Sequence, residues 1–192
     1  YYQTAGVAPA FPFGFGLSYT SFAYSDLKAT SDSVTLTVTN TGSCDGAEIV
    51  QIYVAKPDAK VFRPVQELKG FEKVKLAAGE SKCVAISLDD KAFRYWNTMT
   101  NALEIEGGHY EIRVGASCED IRLTATVEVA GTGAPNPYAG ISLPHYESGK
   151  VMNVPDAEWE VLLDRPIPDD TVKIDCNMTL GELKHSRSPL CW

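Results

Sequence analysis

Hydrolysis by acid-base or nucleophilic chemistry needs two carboxylates held about 5–10 Å apart in a cleft. In this 192-residue chain the close pairs are Asp89-Asp90, Glu104 with Glu106, Glu119-Asp120 and Asp169-Asp170. Each stands at a strand end or in a polar stretch, where a carboxylate is ordinarily a solvated surface charge. A Ser-His-Asp arrangement needs its serine on a sharp turn, and Ser18, Ser81 and Ser117 lack a G-x-S-x-G context. The histidines His109, His145 and His185 lie far apart and form no short metal-ligand cluster. The five cysteines (Cys44, Cys83, Cys118, Cys176, Cys191) show no C-x-x-C spacing, and their odd number leaves at least one thiol unpaired within the chain. They read as reduced thiols of a cytoplasmic protein. Gly14-x-Gly16 falls among aromatics rather than between a strand and a helix, so it is no phosphate loop. The sequon Asn177-Met178-Thr179 matters only in a secreted eukaryotic protein. These residues assign no catalytic group, no metal site and no cofactor.

Charge narrows the partners. Lys+Arg number 17 against Asp+Glu 25, a net charge of −8. Neutralising phosphates requires clustered cations, so this balance argues against nucleic acid and against an anionic membrane surface. No apolar run approaches the roughly 20 residues of a membrane helix. A hydrophobic fraction of 44% suffices for a core. The first methionine is Met99 and the chain opens at Tyr1-Tyr2, which reads as a piece of a longer protein.

From Phe22 to Val129 apolar and polar residues alternate with the period of half-buried strands. Val34-Leu36-Val38, Val50-Ile52-Val54, Val84-Ile86-Leu88, Tyr110-Ile112-Val114 and Leu123-Ala125-Val127-Val129 mark the inward face. Phe71, Phe93, Tyr95 and Trp96 add to the expected core. Turn signals at Asn40-Thr41-Gly42, Ala78-Gly79-Glu80 and Gly107-Gly108 separate the runs. Seven or so short strands with no intervening helix predict an antiparallel β-sandwich of immunoglobulin or fibronectin type III kind over residues 21–129. Residues 1–20 mix six aromatics with Gly14, Gly16, Pro9 and Pro12 and read as an irregular apolar arm. Residues 130–192 hold seven of the eleven prolines and read as a mostly irregular tail. Its one expected helix runs from about Pro155 to Leu163, with Pro155 in the first turn, Trp159, Leu162 and Leu163 sharing a face, and Arg165-Pro166 ending it.

Two stretches are distinctive: Phe11-Pro12-Phe13-Gly14-Phe15-Gly16-Leu17-Ser18-Tyr19-Thr20 and Arg63-Pro64-Val65-Gln66-Glu67-Leu68-Lys69-Gly70-Phe71-Glu72-Lys73-Val74. In order with them come Val38-Thr39-Asn40-Thr41-Gly42, Gln51-Ile52-Tyr53-Val54, Gly79-Glu80-Ser81, Gly107-Gly108-His109-Tyr110-Glu111-Ile112 and Val114-Gly115-Ala116-Ser117. Together they resemble the C-terminal fibronectin type III-like domain of glycoside hydrolase family 3, the β-glucosidases and β-xylosidases. The resemblance covers about residues 1–129. The tail, with Leu143-Pro144-His145-Tyr146 and Gly181-Glu182-Leu183, looks like the extension of some bacterial members.

The resemblance implies a parent that hydrolyses terminal β-glycosides by a retaining double displacement. In that family the aspartate nucleophile lies in a (β/α)₈ barrel and the general acid/base in the barrel or in an α/β sandwich domain. Neither motif is present here, so no catalytic residue carries over. The expected partners are the upstream catalytic domains of the same parent chain, with residues 1–20 as the linker leaving them. Aromatics on a Gly/Pro-rich segment make interface anchors, so Phe11, Phe13, Phe15 and Tyr19 are the candidate docking residues. Arg63, in the loop 56–67, is the one candidate for reaching a substrate, and its plainer role is an ion pair with Glu67. Two functional classes follow: a structural accessory domain of a hydrolase, or an independent carbohydrate- or protein-binding module. An exposed row of Trp and Tyr on one sheet face would favour the second.

Overall fold

The structure is a computed structural model, and it describes residues 2–167 together with Thr179 and Gly181. The sequon asparagine, His185, Cys176, Cys191, Asp169-Asp170 and Glu182-Leu183 lie outside the described residues. Among the described residues nine strands follow one another: β1 Phe22–Ala29, β2 Ser33–Asn40, β3 Gly46–Ala55, β4 Glu67–Leu76, β5 Ser81–Ser87, β6 Arg94–Asn97, β7 Ala102–Ile105, β8 Gly108–Gly115 and β9 Ile121–Val129. They form a three-stranded sheet in the order β1-β2-β5, a four-stranded sheet β4-β3-β8-β9 and a two-stranded ribbon β6-β7, with every pairing antiparallel. The expected β-sandwich is the fold.

Alternation decides the faces. On β2 every second residue is buried, so Val34, Leu36 and Val38 enter the core while the threonines between them look outward. Val50, Ile52 and Val54 meet them from the other sheet, with Val84, Ile86, Tyr110, Ile112 and Val114 completing the cluster. Phe93 and Tyr110 contact edge to face at 5.1 Å between centroids. Three of the four aromatics expected in the core are outside it, and Tyr95 is the half-buried one. Phe71 is 66% exposed and Trp96 54%, because each takes the outward phase of its strand. A 3₁₀ turn at Asp90–Ala92 interrupts the strands where no helix was expected. Asp89 caps it by accepting from the Lys91 amide, an arrangement that leaves Ala92 and Phe93 pointing inward.

The irregular segments carry more helix than their prolines and glycines suggested. A one-turn helix α1 covers Tyr2–Ala5, and α2, Pro144–Glu147, starts with its proline in the first turn. A 3₁₀ turn follows at Val151–Asn153, then α3, Asp156–Leu163. Pro155 is the residue before α3, not its first helical residue: its ψ of 146° is extended. Asp164 closes α3 in the left-handed conformation, φ 52°, and donates its amide to Glu160 O before Arg165-Pro166. Residues 1–151 form one compact unit and residues 152–192 another. Among the described residues no helix is long and apolar enough to cross a membrane.

Candidate docking face on the N-terminal arm

The arm is attached through its backbone. Phe13 O accepts from the Cys118 amide at 3.0 Å, and Gly14 O accepts from Gln51 Nε2 at 3.3 Å. Gln51 projects from the outer face of β3, and its amide also donates to Ala116 O at 2.5 Å while Tyr53 OH donates to its oxygen. Every polar atom of this buried amide is therefore used, and it ties the arm to two neighbouring segments. The approach requires glycine: Gly14 has φ +83°, and a Cβ there would stand 2.1 Å from Gln51 Oε1.

The far end of the arm is fastened by Asn40. This side chain, wholly buried at the end of β2, accepts from Thr20 Oγ1 and the Gly42 amide and donates to Cys44 O at 2.9 Å and Leu76 O at 3.2 Å. Cys44 Sγ lies 3.1 Å from Tyr19 O as its donor, and the Thr41 amide donates to Ser21 O.

Main-chain attachment leaves the aromatic side chains uncovered. Phe11 is 73% exposed, Phe13 66%, Phe15 49% and Tyr19 100%, with the Phe11 and Phe15 rings tilted together at 5.4 Å. Exposed large apolar groups in one contiguous band mark an interaction surface. A cleft of about 550 Å³ opens beside it, lined by Phe11 and Phe13 from the arm, Tyr53 and Leu68 from the sheet, and Val65 and Gln66 from the loop before β4. Burial pushes the Tyr53 phenol up to about 12.

Arg63 faces inward. Its side chain is only 8% exposed, with the guanidinium donating to Tyr110 OH and Glu67 Oε2, both at 3.3 Å, and lying 5.6 Å from the Tyr110 ring centroid. The expected partner Glu67 is found, with the guanidinium buried and the carboxylate partly exposed. Lys56, at the other end of the same loop, is also buried, 4.9 Å from the same ring and paired with Asp58. Asp58 is held below the usual carboxylate range by that hydrogen bond and by the lysine charge. Tyr110 thus holds both ends of loop 56–67.

The carboxylates serve local structure. Asp89 caps the 3₁₀ turn, Asp90 pairs with Arg94, Asp120 pairs with Arg122, and Glu106 accepts from the Lys60 amide. Ser117 Oγ accepts from the amides of Glu119 and Asp120, Ser18 Oγ from that of Thr20, and Ser81 bonds Thr39. Among the described residues no group of three or more His, Cys, Asp or Glu could hold a metal.

Sequence reasoning passed over Gln51 and Tyr53 as members of this site, because Val50-Gln51-Ile52-Tyr53-Val54 reads as ordinary alternation with Gln51 and Tyr53 on the outward phase. The run Val50 to Ala55 is buried at every position, and a strand without alternation is covered on both faces. Over Gln51 that outer cover is Gly14 of the arm.

Residues 48–118 match the family model of the fibronectin type III-like domain. The chain is 49% identical over 142 residues to an exo-α-(1→6)-L-arabinopyranosidase of Bifidobacterium longum, covering 71% of this chain and 19% of that enzyme. It is 47% identical over 140 residues to the thermostable β-glucosidase B of Acetivibrio thermocellus, covering 69% and 18%. Among solved structures, a GH3 β-glucosidase of Bifidobacterium adolescentis superposes with a TM-score of 0.66 at 35% identity, over 97% of this chain and 23% of that one. β-Glucosidase 3B of Thermotoga neapolitana gives 0.63 at 40% identity, over 68% and 19%. The chain spans about a fifth of the length of the relatives it matches. Sequence, sheet order and coverage agree: this chain carries a fibronectin type III-like domain of the kind found in family 3 glycoside hydrolases.

Proposed function

We propose that the chain is a non-catalytic accessory domain of a family 3 glycoside hydrolase, that the rest of the parent hydrolyses terminal β-glycosides, and that the arm seats the domain on that remainder. The asymmetry of coverage carries this reading: about 70% of the chain corresponds to less than 20% of each enzyme. Relatives named for an arabinopyranoside and for a glucoside share the domain at nearly equal identity, so the choice of sugar does not track it. The pairing of Asp89, Asp90, Glu106 and Asp120 with local donors supports a structural role for each. The exposed Trp96 and Phe71 lie on different sheets and make no aromatic row. The free thiols Cys44 and Cys83, both exposed, support a reducing, cytoplasmic setting.

Nitrophenol release from an aryl β-glucoside tests the proposal. The full-length parent is expected to turn it over and the 192-residue chain to show none. Turnover by the chain that Asp89→Asn or Asp90→Asn abolishes would overturn the accessory role. A parent active only on an aryl α-L-arabinopyranoside would overturn the substrate assignment.

A further inference from the structure

We infer that the docking surface extends beyond the arm onto the outer face of β3 and β4, with Phe71 at its centre, and that its occupant is the part of the parent enzyme outside this chain. The inference rests on the accessory reading and adds the residues that complete the surface. In the β3–β4 register Phe71 stands opposite Gln51, Ile49 opposite Lys73 and Tyr53 opposite Leu68. Cross-strand partners share a face, so Phe71 and Ile49 lie on the side where Gln51 receives the arm. Gly14 of the arm sits on Gln51, and Tyr53 lines a cleft together with Phe11 and Phe13. Phe71 remains 66% exposed and Ile49 44%.

Two grooves flank the arm at Gln51, the residue opposite Phe71. One contains Leu68, Tyr53 and Phe13, and the other, about 400 Å³, contains Ile49 and Phe15. Phe11 and Phe13 in one groove and Ile49 and Phe15 in the other lie to either side of Gly14, and Phe71 stands across from the Gln51 on which Gly14 rests. β4 is also an edge strand of its sheet, a position that proteins guard with charge. The next outward residues, Lys73 and Lys75, supply that guard, and Phe71 departs from it. The relatives are about five times as long as the matched segment, which supplies the covering partner. A central apolar patch with a lysine rim is the anatomy of a protein interface.

Hydroxyl-radical footprinting of the full-length parent and of the 192-residue chain reads each side chain separately. In the parent, oxidation of Phe71 and Ile49 is expected to fall at least about fivefold along with that of Phe13 and Phe15, since an interface core excludes water. Trp96, on the β6–β7 ribbon, is expected to react equally in both. Protection of the arm with Phe71 unchanged would overturn the extension and leave the accessory reading standing. Protection of neither would overturn both. Protection of Phe71 in the isolated chain that grows with concentration would assign the face to a second copy and overturn the inference. As a cross-check, Phe71→Ser should lower the unfolding temperature of the parent and leave that of the chain unchanged. An equal fall in both would make Phe71 a residue of the sandwich itself.

Discussion

Single residues decide how the arm lies. At Gly14 a methyl group meets both a positive φ and the Gln51 amide, and the backbone strain alone costs about 1–3 kcal/mol. Gly14→Ala is expected to free residues 1–20 to proteolysis at least several-fold faster while the strands keep their resistance, read by timed chymotrypsin digestion. Asn40→Ala would leave Thr20, Gly42, Cys44 and Leu76 groups unpaired; a loss of about 2–3 kcal/mol is expected from urea unfolding. Asn40 was legible in Asn40-Thr41-Gly42 as a turn, but a turn signal reports backbone preference and says nothing of what a buried amide will bind. The tyrosines add a pH dependence. Burial raises the phenols of Tyr24, Tyr53 and Tyr110 above their ordinary value, Tyr53 to about 12. The folded state therefore holds these protons more tightly than the unfolded chain, which releases them near pH 10. Their contribution is whole below about pH 10 and is lost as pH rises through the folded values. Urea midpoints are expected to agree at pH 7 and 9 and to fall at pH 11.

At the scale of elements, β3 explains both what the sequence revealed and what it hid. Period-2 alternation located the strands because one face of β2, β5 and β9 meets water. It named the inward residues Val50, Ile52 and Val54 correctly but did not show that Gln51 and Tyr53 on the opposite phase are covered too. Phe71 and Trp96 were counted inward because aromatics favour strands whichever face they occupy. The short helices α1 and α2 were missed since one turn leaves no periodicity to read. Removing residues 1–16 tests the covering role: Gln51 loses Gly14 and the cleft beside Tyr53 loses Phe11 and Phe13, while the core cluster stays intact. One cooperative transition should persist, weakened by about 2–3 kcal/mol. Loss of cooperativity would place the arm in the core.

For the whole molecule, the buried cluster and the residues packed against it are drawn from Phe22 to Val129. A chain ending at Val151 is accordingly expected to unfold within about 3 °C of the full chain in a calorimeter, corresponding to less than about 1 kcal/mol. A larger fall would make residues 152–192 part of the fold's foundation. The arm offers a different lesson. Its carbonyls, Gly14 and the Gln51 and Asn40 amides settle where it runs, and the rings of Phe11, Phe13 and Tyr19 stay largely exposed. Mounting and message are thus written in separate atoms. If the arm seats the domain as proposed, mutations at Phe11, Phe13 or Phe15 would change what a neighbour meets without changing where the neighbour must look, so a lineage could retune the fit between domains one ring at a time while the scaffold stands still.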